Sequence, residues 1–111
     1  MATTLPDYQG WTNRPTWAVV LHLNNEQGSQ DWAREIGKQA LKTALETAKA
    51  SDPPVDVQRR AARLCGESIR EALEEQASEV CAQDTGLTLD LATWALAIVD
   101  WDEIGAAFTE E

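Results

Sequence analysis

Apolar residues along this chain recur mostly at helical spacing, in segments separated by clear breakers. The first segment holds Trp17, Val20, Leu21 and Leu23. Asn13 or Arg14 can cap a helix entered through Pro15, since proline is tolerated in a first turn. The same stretch alternates as Trp17, Val19, Leu21 and Leu23, which is strand periodicity, so a short strand competes with a helix over 14–24. Residues 24–28 form a turn, and Ser29 caps a second helix over about 30–50. On a helical wheel Trp32, Ala33, Ile36, Ala40, Leu41, Ala44, Leu45 and Ala48 share one broad arc, and Asp31, Glu35, Lys38, Lys42, Glu46 and Lys49 the other.

Ser51, Asp52, Pro53 and Pro54 stop that helix. Asp56 caps a third, over about 57–82, whose apolar line is Ala62, Cys65, Ile69, Leu73, Ala77 and Val80. Gly66 marks close packing or a slight break. Asp84 to Gly86 end the segment, and Thr88 caps a fourth helix over about 89–99. Leu91, Trp94, Leu96, Ile98 and Val99 leave that helix little polar face, which predicts the central, most buried element. Asp100 with Glu103 three positions later has capping-box spacing for a fifth helix over about 101–108. Residues 109–111 are expected to fray. The pattern gives an all-α fold: a compact bundle of about five helices behind a short extended N-terminal lead-in at 1–12, in a single domain over 1–111.

Composition agrees with a globular chain, at 43% hydrophobic and 25% charged residues. No apolar run is long enough to span a membrane, and the N-terminus lacks the basic start and apolar stretch of a signal peptide. A cytoplasmic protein is expected. Cys65 and Cys81 fall on one helix, roughly 24 Å apart at about 1.5 Å per residue, too far for a disulfide.

Charge changes the picture more. The net charge is −10, and its layout is uneven. Residues 29–50 sum to +1, residues 51–83 to −3, and residues 84–111 to −7 with no Lys or Arg. After Arg70 there are eleven acids and no base. A field of this sign repels nucleic acid and anionic membrane and attracts basic surfaces.

Catalytic and cofactor chemistry finds no support. No two of the six glycines stand close enough for a dinucleotide or phosphate loop. One His and two distant Cys cannot make a zinc site, and no calcium loop is present. His22 with Cys65 or Cys81 is the one conceivable nucleophile–base set, but cysteines on an apolar helical line are usually inert. No enzyme, metal or cofactor is expected. The five tryptophans are the most unusual feature. Trp17, Trp32 and Trp94 lie on apolar faces and suit a core built otherwise from alanine. Trp11 precedes the first helix. Trp101 opens the fifth between two aspartates, as a staple or as an exposed binding anchor.

The segment from Gly10 through Trp11, Asn13, Thr16 and Trp17 to Asn24, Asn25 and Glu26 resembles the opening of a family of small uncharacterised phage and mobile-element proteins, patterned W-x-N-x-x-T-W. The run Val99, Asp100, Trp101, Asp102, Glu103, Ile104 is similar to that family's closing V-N/D-W-x-E-I. Pro15 stands where the family usually has Glu. The motif reads physically as a docking piece: Asn13 or Thr16 caps helix 1, and Trp11 and Trp17 pack on helix 5, so that the two ends meet. The resemblance implies a phage or mobile-element setting, in which small acidic proteins often inhibit host defence. By analogy it suggests an inhibitor of a nucleic-acid-handling host complex, of anti-CRISPR or antirestriction type, binding a basic protein surface and not nucleic acid. The residues expected to carry it are Glu71, Glu74, Glu75, Glu79, Asp100, Asp102 and Glu103, with Trp101 as anchor. The competing expectation is a structural or regulatory helical module, a homodimer through helix 4 or the alanine-rich face of helix 2.

Overall fold

The computed structural model describes residues 10–80 and 86–109, and of Val80 and Leu89 the backbone only. The described residues form five helices and no strand: α1 (Arg14–Asn25), α2 (Gln27–Glu46), α3 (Pro54–Val80), α4 (Gly86–Ala97) and α5 (Trp101–Thr109). Most of the extended lead-in expected at 1–12 lies outside them, as do Cys81 and residues 110–111.

Helix wins over strand in the first segment because its start is fixed locally. Asn13 is extended, and its Oδ1 accepts from the Thr16 N–H at 2.9 Å while Pro15 presets the first turn. Thr16, Val20 and Leu23 then fall on one buried side, and Leu21 points outward. The turn expected at 24–28 shrinks to Glu26, whose φ of −117° and ψ of 138° break the helix. Ser29 therefore sits inside α2 and caps nothing. α2 stops at Glu46 rather than 50, where the Thr47 hydroxyl bonds back to the Thr43 carbonyl at 2.9 Å. The link to α3 is closed by Asp52, which accepts from the Lys49 N–H at 2.9 Å and pairs with Arg60 at 3.5 Å. Pro54 then opens α3 two residues before Asp56, so Asp56 lies in the first turn instead of capping it.

α3 is the mast of the fold, about 40 Å long at 1.5 Å per residue. α2 and α5 both lie along it, α2 reaching Ala72, Leu73 and Gln76, and α5 also meets α2 and α1. The main core joins Val20 and Leu23 of α1, Ala33 and Ala40 of α2, Cys65 and Ile69 of α3, and Trp101 and Ile104 of α5. A satellite cluster around Ala44, Val57 and Ala61 closes the far end. The alanine-rich face of α2 is spent in these contacts, with Ala33, Gly37, Ala40 and Ala44 all buried, so it is not free to pair with a second copy.

Three glycines set how closely α5 approaches. A Cβ on Gly105 would fall on the Ala62 carbonyl of α3, one on Gly66 on the Trp101 carbonyl, and one on Gly37 on the Phe108 carbonyl. Gly66 thus marks close packing and no break. Thr109 does not fray: it is buried, its hydroxyl bonds the Gly105 carbonyl at 2.8 Å, and its own carbonyl accepts from Gln58 Nε2 at 3.3 Å.

The largest departure from the sequence expectation is α4. It packs substantially only against α3, and Leu87, Leu91 and Trp94 stand exposed. The central helix is α5. α4 is apolar nearly all round, and one neighbour can cover only one side of such a helix.

Candidate interaction surface

The two tryptophans near the C-terminus exchange the roles expected of them. Trp101 is 9% exposed, and its Nε1 donates to the Leu96 carbonyl at 3.2 Å. An indole buried with its one donor satisfied is a core residue, so Trp101 is not an exposed anchor. Trp94, expected in the core, is 65% exposed.

The carboxylates also divide. Asp100 and Glu103 are occupied in joining the two ends of the chain. Asp100 Oδ1 accepts from the Glu103 N–H at 3.1 Å, which is the expected cap. In a closed capping box the Glu would return to the backbone N–H of the cap residue. Here the Asp100 N–H donates instead to the Thr16 hydroxyl at 2.9 Å, which leaves Glu103 Oε1 to accept from the Thr12 N–H at 2.9 Å. Thr12 also donates its hydroxyl to Asp100 Oδ2 at 3.1 Å, and Asn13 Nδ2 donates to the Ile98 carbonyl at 2.7 Å. The box is completed across the molecule, and the W-x-N-x-x-T-W opening and the V-D-W-x-E-I ending are its two halves. Trp11 packs on the core that Trp101 and Ile104 build, while Trp17 is half-buried.

Asp102 is exposed, but its surroundings are not those of an acidic face. It shares an open groove between α3 and α5 with Arg59, Arg60 and Arg63, and with Asp56, Asp100 and Glu103. The sequence shows no base near these acids; the fold brings three arginines to them. This surface is electrically mixed.

The acids of α3 behave otherwise. Glu71, Glu74, Glu75 and Glu79 are all exposed along its second half. Glu74 accepts from Arg70 Nε at 3.0 Å, an exposed pair one helical turn apart whose contribution to stability is small. Glu71 borders the cleft toward α2 together with Glu35 and Glu67, and Glu74 borders the cleft toward α4 with Thr93 and Leu96. From Glu71 to the end of α4 the sequence holds no Lys or Arg.

Beside this acidic flank lies a feature that sequence reasoning missed. Leu87, Leu91 and Trp94 are spaced by four and three residues, which stacks them on one side of α4, and Ile98 follows in the turn just past its end. All four are exposed. Ala92, Ala95 and Leu96, on the other side, are partly covered. The signal was present in the composition. A helix without a polar face is either buried or waiting for a partner, and α5, with Gly105, Ala106 and Ala107, is the one small enough for close packing.

The candidate nucleophile and base differ sharply in exposure. His22 is exposed near the end of α1, and Cys65 is fully buried on α3 with its thiol pushed up to about 11 by burial. Such a thiol stays protonated and unreactive at neutral pH. Among the described residues no group of three His, Cys, Asp or Glu side chains gathers to hold a metal ion, and no helix is long and apolar enough to cross a membrane.

The fold and its features define a class: a five-helix, all-α domain whose ends are laced together and whose exposed specialities are an acidic helix flank and an apolar helix face. The chain belongs to a family of unknown function (DUF7249), whose family model matches residues 4–111. No curated protein and no solved structure matches the chain.

Proposed function

We propose that this protein is an acidic interaction module that docks on a basic surface of another protein. The observation that carries the reading is the second half of α3, where Glu71, Glu74, Glu75 and Glu79 are exposed and no Lys or Arg follows Arg70. Carboxylates so placed can accept charge-assisted hydrogen bonds from Lys or Arg side chains that otherwise hold phosphates. Asp102 adds to the same sign of charge at the periphery, but Arg59, Arg60 and Arg63 beside it weaken that end. Asp100 and Glu103 act through the fold rather than by contact with a partner.

The narrower form is an inhibitor of a host nucleic-acid-handling defence complex, of anti-CRISPR or antirestriction type, acting in the host cytoplasm. It rests on the resemblance of the chain's two ends to phage and mobile-element proteins together with the acidic flank. The test is displacement of labelled duplex DNA from purified defence complexes. The wild type releases DNA, less so as salt rises, and a variant with all four α3 glutamates changed to Lys does not. Equal release by wild type and variant would sink the electrostatic reading. A second reading, a regulatory or structural module paired with its own copy through α4, is favoured by the exposed Leu87, Leu91 and Trp94. Light scattering across a range of concentrations separates the two.

A further inference from the structure

We infer that the outward face of α4 is a docking seam for a helix of the partner protein, an amphipathic helix with apolar residues on one side and Lys or Arg along its edges. The inference rests on the acidic-docking reading above and names what that surface holds. The first ground is spacing. Leu87, Leu91 and Trp94 follow the four–three rhythm by which one helix seats its side chains between those of another, and Ile98 stands just past the helix end. A flat surface asks for no such rhythm.

The second ground is charge. α4 carries one charged side chain, the exposed Asp90, and from Glu71 to the end of α4 the sequence holds acids and no Lys or Arg. Glu74, paired with Arg70, borders the cleft on the inner side of α4 with Thr93 and Leu96. A helix laid on α4 touches the element that carries Asp90, within the reach of charge at physiological salt, about 8 Å. Basic residues on that helix are attracted and acidic ones repelled.

The third ground is area. The seam exposes only a few hundred Å², short of the roughly 800 Å² per partner that a stable interface buries. The remainder must come from its surroundings, which are acidic. In a two-fold pair of identical chains each patch meets itself, so Asp90 would face a surface of its own sign between molecules that each carry −10. The seam therefore fits a basic helix better than a second copy.

The test uses the full chain and three synthetic helical peptides. One has Leu at the seam positions and Lys on the flanks, one is its scrambled isomer, and one has Glu on the flanks. Titration into the isotopically labelled protein is followed by amide shifts. The Leu/Lys helix binds at least tenfold tighter than its scrambled isomer, with shifts confined to α4 and the second half of α3. Leu91→Asp with Trp94→Asp weakens it at least tenfold while the melting temperature holds, because both side chains are exposed. If both Lys peptides bind equally, only charge is read: the seam falls and the acidic reading stands. If the Glu-flanked helix binds as well as the Lys-flanked one, the charge reading falls and takes the inference with it. A dimer in sedimentation that Leu91→Asp dissolves would show that the second copy is the occupant, which also overturns the inference.

Discussion

α4 and α5 are both short, both rich in apolar residues, and each carries one tryptophan. α5 lies in the middle of the molecule, against α1, α2 and α3, with Trp101, Ile104 and Gly105 buried. α4 lies on the outside, against α3, with Leu87, Leu91 and Trp94 in solvent. Hydrophobicity does not separate them, since α4 is the more apolar of the two by composition. What separates them is shape. Gly105 and the alanines after it let α5 come within backbone contact of α3, while its polar residues Asp102 and Glu103 gather where the chain ends are laced. α4 carries large side chains on two opposite sides, Leu96 on one and Leu87, Leu91 and Trp94 on the other, so burying one side leaves the other out.

The harshest way to break the contrast is to thicken α5 at its closest approach. Gly105→Val puts a branched side chain against the Ala62 carbonyl and the Gly66 N–H, backbone atoms that cannot rotate away. A loss of about 3 kcal/mol or more is expected, enough to unfold a marginally stable domain, and urea denaturation reads it. Ala97→Val on exposed α4 should cost less than about 1 kcal/mol. Comparable losses at the two sites would mean that α4 is packed as tightly as α5.

The tryptophan pair sharpens the same contrast. Trp101→Ala removes a buried indole and leaves a cavity beside Ile104 and Leu96, and about 3–5 kcal/mol should be lost. Trp94→Ala removes an exposed one and should change stability by about 0.5 kcal/mol or less. Indole fluorescence reports both, because Trp94 emission is that of a wet ring and is quenched by iodide, whereas Trp101 is shielded.

Those two residues also mark where sequence reading succeeded and where it stopped. The α1 cap at Asn13, the cap at Asp100 and the apolar line through Cys65 and Ile69 are local, fixed by residues within a few positions of one another, and all were legible. The meeting of the two ends was expected from the resemblance, through Trp11 and Trp17; the hydrogen bonds from Thr12, Asn13 and Thr16 that make it were not, since their partners lie more than eighty residues away. Which apolar helix lies at the centre is not a local property. It depends on which elements can approach, and the guide was the small residues of α5 rather than the large ones of α4. The mixed charge around the acids at 100–103 was hidden for a related reason: their neighbours along the chain are all acidic or apolar, but Arg59, Arg60 and Arg63 come from more than thirty residues away. The glutamates of α3 were legible as a surface because a long helix keeps its outer face whatever packs on the inner one.

Alkaline pH probes the same core beneath α5. Cys65 lies in the cluster with Trp101 and Ile104, and burial raises its thiol from 9.0 to about 11. Between those values the unfolded chain has lost the proton and the folded one keeps it, so stability falls as pH rises. The drop is about 2–3 kcal/mol over the two units, and none of it is present below pH 9. Other groups also titrate there, so the measurement is the difference between wild type and Cys65→Ala in denaturation midpoint. The gap in the wild type's favour should narrow from pH 9 to 11. A gap independent of pH would mean that water reaches the thiol and that α5 is loosely seated.

The smallest effect expected is at Leu91, and its smallness is informative. Gln has nearly the helix propensity of Leu, so Leu91→Gln leaves the α4 backbone preference unchanged and alters only the side chain's surroundings. If Leu91 stands in solvent, little burial is lost and stability moves by less than about 0.5 kcal/mol. If it is covered, by a second copy or by another part of the chain, the same change places an amide against an apolar surface and costs about 2 kcal/mol or more. The two cases separate further with protein concentration, since cover by a second copy makes the cost vanish on dilution. A near-zero value at every concentration means that α4's apolar face adds nothing to the fold. Its exposed Leu87, Leu91 and Trp94 are then free for the contact proposed for them, while Trp101 of α5 is spent in the core.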